Sequence, residues 1–177
     1  MQAVVLYESL YGNTREIAEA VAEGLRERGE VVVLDVAGAS PDALAGADLV
    51  VVGGPTHVHG MSSELSRKGA AEDAAKRAAK AAAEGADAPP APHVEGPALR
   101  TWLDRLGRVE GVRAATFDTR IGKPKLLTGS AEKGIARRLR HHGFEVAAEE
   151  SFVVEDSAGP LAAGERERAR AWGAGLA

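Results

Sequence analysis

Ala3-Val4-Val5-Leu6-Tyr7-Glu8-Ser9-Leu10-Tyr11-Gly12-Asn13-Thr14 lies just behind Met1-Gln2, and the rest of the chain is organised around it. Ala3 to Tyr7 is short, apolar and rich in β-branched residues. That is the character of a strand buried on both faces in a parallel sheet. Glu8 to Gly12 turns the chain, and a helix opens near Asn13. The first N–H groups of a helix have no intrahelical acceptor, and the helix dipole favours an anion beside them. Ser9, Tyr11, Asn13 and Thr14 add hydroxyl and amide donors at that point, with Leu10 among them. Gly12 has no Cβ and tolerates positive φ, so its backbone can approach a ligand closely. These features read as a phosphate cradle. The plainer alternative is a polar turn with an N-cap.

The cradle contains no Lys, and GxxxxGK[ST] is absent from the chain, which excludes a nucleoside-triphosphatase P-loop. No GxGxxG follows the strand, so the dinucleotide fingerprint is missing. Phosphate held by hydroxyls and backbone N–H alone leaves a narrower comparison. Ser9-x-Tyr11-Gly12-Asn13-Thr14 resembles the phosphate loop of flavodoxins, with Ser9 and Tyr11 where that family often has Thr.

The chain has 177 residues, enough for one domain with a good core, and its hydrophobic content of 45% is that of a globular protein. Its net charge of −4 gives no basic footprint for nucleic acid. No apolar run is long enough to span a membrane, and Met1-Gln2 leads directly into a strand, so neither a membrane span nor a signal peptide is expected. Cys is absent, which removes disulfides, thiolate metal sites and Cys nucleophiles and fits a cytoplasmic location.

Asn13 to Arg28 reads as an amphipathic helix, with Ile17, Val21 and Leu25 on one face and Gly29 closing it. Glu30 to Val36 is a second strand. Ser40-Pro41-Asp42 opens a short helix, and Asp48 to Gly54 is a third buried strand. Ser62 to Glu84 is Ala-rich with a weak apolar stripe, the pattern of a solvated helix. Gly85 to Pro97 carries Pro and Gly and reads as a loop, and Pro97 to Leu106 is helical. Val112 to Phe117 is the fourth strand. A helix opens after Gly129-Ser130, and Phe144 to Val154 is a fifth strand, irregular at 147–151. Glu165 to Leu176 is the closing helix. This alternation predicts an α/β doubly wound three-layer sandwich. The resemblance implies a five-stranded parallel sheet of order 2-1-3-4-5 with helices on both faces. It covers nearly the whole chain except about 66–100, which implies a single domain over 1–177 with a helical, Pro-rich insertion there.

A second loop supports the first. Gly53-Gly54-Pro55-Thr56-His57-Val58-His59-Gly60-Met61 follows the third strand. In a 2-1-3-4-5 sheet, strands one and three flank the switch point where ligands bind, so the two loops should face each other. Gly-x-Pro-Thr after a third strand resembles the flavodoxin loop bordering the flavin ring. The resemblance implies that Thr56 reaches toward the phosphate or ribityl chain. It also implies that His57, Val58, His59 and Met61, with Pro55 and Gly60 in the same loop, pack against the isoalloxazine. Many flavodoxins carry an aromatic residue there, and this chain does not. His57-x-His59 lacks a carboxylate or third His nearby to complete a metal site, so no metal is expected. At the end of the fourth strand, Asp118 and Thr119 stand where flavodoxins bond the pyrimidine edge of the ring. Arg120 is either a surface charge or a cation near the flavin, and Phe117 is core.

The resemblance therefore implies FMN as the cofactor. The function it implies is a low-potential electron carrier between a reductase and an acceptor protein, as monomer or homodimer. Two alternatives stay open. One is an FMN-dependent NAD(P)H:quinone reductase, favoured by Pro55-Thr56 followed by Gly60-Met61. Against it, Asp118-Thr119-Arg120-Ile121-Gly122-Lys123 replaces the glycine- and His-bearing loop of those enzymes. The other is a domain of the same fold that binds no flavin. GxSxG and HExxH are both absent.

Overall fold

The structure is a computed structural model that describes residues 1–57, 60–122 and 129–176. Along the chain run β1 (Gln2–Tyr7), α1 (Asn13–Leu25), β2 (Glu30–Asp35), a 3-10 turn (Pro41–Leu44), β3 (Leu49–His57) and the two-residue β4 (Gly60–Met61). There follow α2 (Glu64–Ala83), α3 (Leu99–Leu103), β5 (Arg113–Ile121), α4 (Ala131–His141), β6 (Glu145–Val154) and α5 (Glu165–Gly175). The five long strands are parallel in the order β2-β1-β3-β5-β6, and β4 pairs antiparallel with the end of β3. Counted without β4, this is the expected 2-1-3-4-5 order.

Strand alternation sorts the apolar residues into two cores. Val4, Leu6, Val50 and Val52 face α3 and α4, where Leu99, Trp102, Leu103, Ile135 and Leu139 cover them. Ala3, Val5, Leu49, Val51 and Phe117 face α1 and α5, meeting Ile17, Val21, Leu25 and Ala169. Phe117, Phe152 and Trp172 pack edge to face with centroids 6.0–6.3 Å apart, so Phe117 is core as expected. Gly53 exists for this ring: a Cβ there would lie 2.0 Å from Phe117 Cζ.

Two strands run past their expected ends: β3, and β5, which continues beyond Phe117 to Ile121 and so carries Asp118, Thr119 and Arg120. β3 continues through Pro55 to His57, because β5 pairs with it as far as Pro55–Thr119 and β4 pairs with Thr56 and His57. β1 stops opposite Gly53, so at Pro55 the strand is paired with β5 alone, where its missing N–H is tolerated. The irregularity expected in the last strand is a bulge: Ala114 pairs with Val146 but Ala115 with Ala148, leaving Ala147 out of register. α2 is the solvated helix expected over 62–84, opened by a capping box between Ser63 and Ser66, and only Arg67 and Ala74 of it are buried. Among the described residues no helix is long and apolar enough to cross a membrane.

Candidate functional site

A crevice opens at the C-terminal ends of β1, β3 and β5, the switch point of the sheet. The loop after β1 contributes Leu10, Tyr11, Asn13 and Thr14; β3 contributes Pro55, Thr56 and His57; β5 contributes Thr119, Arg120 and Ile121. Val154 and Ser157 complete it from the end of β6. Nine of the residues read from sequence as ligand-binding therefore share one site. Ile121, Val154 and Ser157 were not among them.

Gly12 is the N-cap of α1 with φ 93°, and no side chain caps this helix. The first intrahelical bond runs from Glu16 N–H to Gly12 O at 3.0 Å. The free N–H groups of the first turn thus open beside the crevice. Ser9 accepts from Gly12 N–H at 3.1 Å, which tightens the loop from within. Ser9 and Gly12 border a second hollow, behind the loop, with Tyr7, Arg15, Asp35 and His93. Ser9 therefore shapes the loop rather than lining the crevice. Asn13 is held by the turn before α5, where a Cβ on Gly159 would come within 2.4 Å of Asn13 Oδ1.

Threonines tie the loops together. Thr14 Oγ1 and Thr119 Oγ1 lie 2.7 Å apart and are buried. Thr56 Oγ1 donates to Asp118 Oδ2 at 2.7 Å and accepts from Ala131 N–H at 3.0 Å. Asp118 differs from its expected role at a ring edge. Its side chain leaves β5 on the α4 face, as does that of Thr116, whose hydroxyl donates to Glu132 O at 3.2 Å. Asp118 Oδ2 accepts from Ala131 N–H at 2.8 Å and Glu132 N–H at 3.4 Å, and the residue is wholly buried. It caps α4, where a carboxylate suits the positive helix end. Burial and the neighbouring Glu132 carboxyl raise its pKa to about 7, against the pull of Thr56 and Ser151.

Met61 also departs from expectation. It is 4% exposed and packs into the core with Ala131 and Ile135, not against a ligand. Gly60 is half-buried in β4, opposite His57. His57 is buried enough that its pKa falls below the ordinary histidine value. Its Nε2 is buried and has no hydrogen-bond partner among the described residues. Val58 and His59, the other residues expected near a ring, lie outside the described residues.

The flavodoxin domain model matches residues 4–126, well over half of the chain. The chain belongs to the flavodoxin domain family. Solved structures agree at the level of fold. A flavodoxin from the domain Archaea is 19% identical with a TM-score of 0.61, over 99% of this chain and 96% of that one. The Streptococcus pneumonia TIGR4 flavodoxin is 17% identical with a TM-score of 0.65, over 99% and 97%. A flavodoxin, WrbA-like protein from Agrobacterium tumefaciens is 20% identical with a TM-score of 0.54, over 99% and 94%. No curated protein matches the sequence. Flavodoxins place FMN at the β1/β3 switch point of this sheet, which is where the crevice lies.

Proposed function

We propose that the protein binds FMN in this crevice and carries electrons between redox proteins. The observation that carries the reading is the uncapped N-terminus of α1, entered through Gly12 in a left-handed conformation and opening beside the switch-point crevice. The residues present fit the group. Helix N–H groups and the hydroxyls of Tyr11 and Thr14 suit a terminal phosphate, without a cationic side chain in the loop. His57, with its buried and unpartnered Nε2, supplies a polar atom for the flavin end. When bound, FMN supplies the one- and two-electron chemistry, and the protein supplies binding and electrostatics. Thr119 would act beside the cofactor, together with Thr56. Asp118 would act beneath them by fixing Thr56 and the start of α4. Arg120 is the cation of the crevice wall. Two redox proteins, a reductase and an acceptor, are the proposed partners, and the absence of Cys suits a cytoplasmic carrier.

FMN should bind more tightly than FAD, because the cradle suits a terminal phosphate and no adenosine fingerprint exists. Fluorescence titration of flavin-free protein with FMN, FAD and riboflavin tests this. FAD binding as tight as FMN overturns it.

A second reading, an FMN-dependent NAD(P)H:quinone reductase, is favoured by one feature. A hollow on the other side of His57, bordered by Met61, Leu65 and Arg100, offers room for a second small molecule. Rapid NADPH oxidation with benzoquinone that depends on added FMN would select this reading over the carrier.

A further inference from the structure

α2 is tied to the back of the loop after β1 by a buried ion pair. Glu8 is the last residue before the loop; its N–H donates to Gly53 O at 3.1 Å, and it is only 3% exposed. Arg67, in the first turns of α2 and also 3% exposed, sets Nε 3.3 Å from Glu8 Oε1. The Ser62 hydroxyl and the Leu99 N–H both donate to Glu8 Oε2. The other two guanidinium nitrogens of Arg67 reach the strap that returns from α2. Nη1 donates to Gly96 O at 3.0 Å and Nη2 to Glu95 O at 2.8 Å. Further along the strap, His93 N–H donates to Leu10 O at 2.7 Å, inside the loop itself. Gly96, with φ +68°, is pressed against the turn after β2, where a Cβ would lie 2.5 Å from Ala37 Cα.

Two buried charges are an expensive way to hold a surface helix, since apolar residues of similar volume usually stabilise as well or better. An ion pair with four directional hydrogen bonds around it gives fixed position instead. A glycine-containing loop gains most from this, because ordering it in advance removes that entropy from the binding step.

We propose that Arg67 is a positioning residue for the anion site. Through Glu8 and through the strap from Glu95 to His93, it holds Ser9–Thr14 in binding shape before a ligand arrives. The ligand arm of the test rests on the FMN reading; the loop-shape arm does not. Three variants of the full chain separate positioning from plain stability. Arg67→Met breaks the pair. Glu8→Gln with Arg67→Met removes both charges together, so no lone charge stays buried. His93→Pro removes the strap's N–H to Leu10, together with an exposed imidazole, and leaves the charge pair in place.

Hydrogen exchange is measured on the amides of Leu10–Glu16 in flavin-free protein, and affinity for FMN and riboflavin by titration. In the double variant and in His93→Pro, those amides should exchange about tenfold faster, with β3 unchanged. FMN affinity should fall about tenfold and riboflavin affinity less than about twofold. Unchanged loop exchange in both variants overturns the proposal, as does an equal fall for both flavins. A wild-type protein that binds neither flavin would sink the FMN reading, and the exchange data would still decide the brace.

Discussion

Thr14 and Thr119 meet hydroxyl to hydroxyl at 2.7 Å, so one donates and the other keeps its proton for the crevice. Thr14→Val should therefore do two things. It leaves Thr119 without its buried partner, lowering stability by about 1 kcal/mol, and it removes a donor worth about tenfold in FMN affinity. Urea unfolding and flavin titration check the two effects, with riboflavin affinity expected to move less than FMN affinity. Asp118 makes a pH prediction. Its folded pKa of about 7 lies above the ordinary carboxyl value, so between those values the folded chain holds a proton that the unfolded chain has lost. Its contribution is thus fully present at low pH and falls away as pH rises toward 7. Glu8, raised chiefly by burial, acts with the same sign; His57, lowered by burial, opposes it below its ordinary value. Unfolding midpoints from pH 5 to 8 should show Asp118→Asn flatter than wild type. Parallel curves would mean that the carboxyl pair does not hold the proton.

α1 and α5 pack backbone to backbone through glycines. A Cβ on Gly24 would lie 2.1 Å from Arg170 O, and one on Gly173 would lie 2.2 Å from Val21 O. Alanine gains about 1 kcal/mol over glycine in helix propensity. Overpacking of a tight core contact costs about 1–3 kcal/mol, and backbone atoms cannot swing aside as a flexible side chain does. Gly24→Ala should therefore destabilise despite its better propensity, lowering the urea midpoint; a raised midpoint would show that the helices can part freely. The helices themselves were legible, because Ile17, Val21 and Leu25 recur at helical spacing behind Gly12, although α1 ends at Leu25 with Arg26 as its C-cap, short of the expected close at Gly29. The role of the two glycines was not, since spacing along one helix says nothing about which backbone lies against it. α2 shows the same division. Its weak apolar stripe announced a solvated helix, but the burial of Arg67 against Glu8 depends on a contact with a residue 59 positions away.

For the molecule as a whole, the charge around the crevice sets the expected redox behaviour. The net charge of −4 is mild, and Arg120 sits in the wall. A cation there stabilises the extra negative charge of a reduced flavin, so Arg120→Ala should make the potential more negative. Burial lowers the His57 pKa, so wild type and His57→Gln should agree from pH 7 to 8.5 and part only below the ordinary histidine value. Spectroelectrochemical titration reads both effects, and identical potentials for Arg120→Ala and wild type would place that side chain in solvent. The sequence by itself determined the doubly wound sheet, the helix after the first strand and the two loops at the switch point. These follow from local pattern: buried strands as continuous apolar runs, helices as a 3.6-residue stripe, and a cradle from hydroxyls and Gly12 at a helix start. Tertiary structure alone decided how each side chain is used. Asp118 turns into α4 and Thr119 into the crevice because neighbours on a strand point to opposite faces, and only packing says which face holds what. Val154 and Ser157 join the site across more than a hundred residues, brought there by the pairing of β5 with β6. Met61 falls into the core because β4 folds back on β3 beneath α4. No local spacing encodes such long-range contacts, since they depend on where other elements place their atoms.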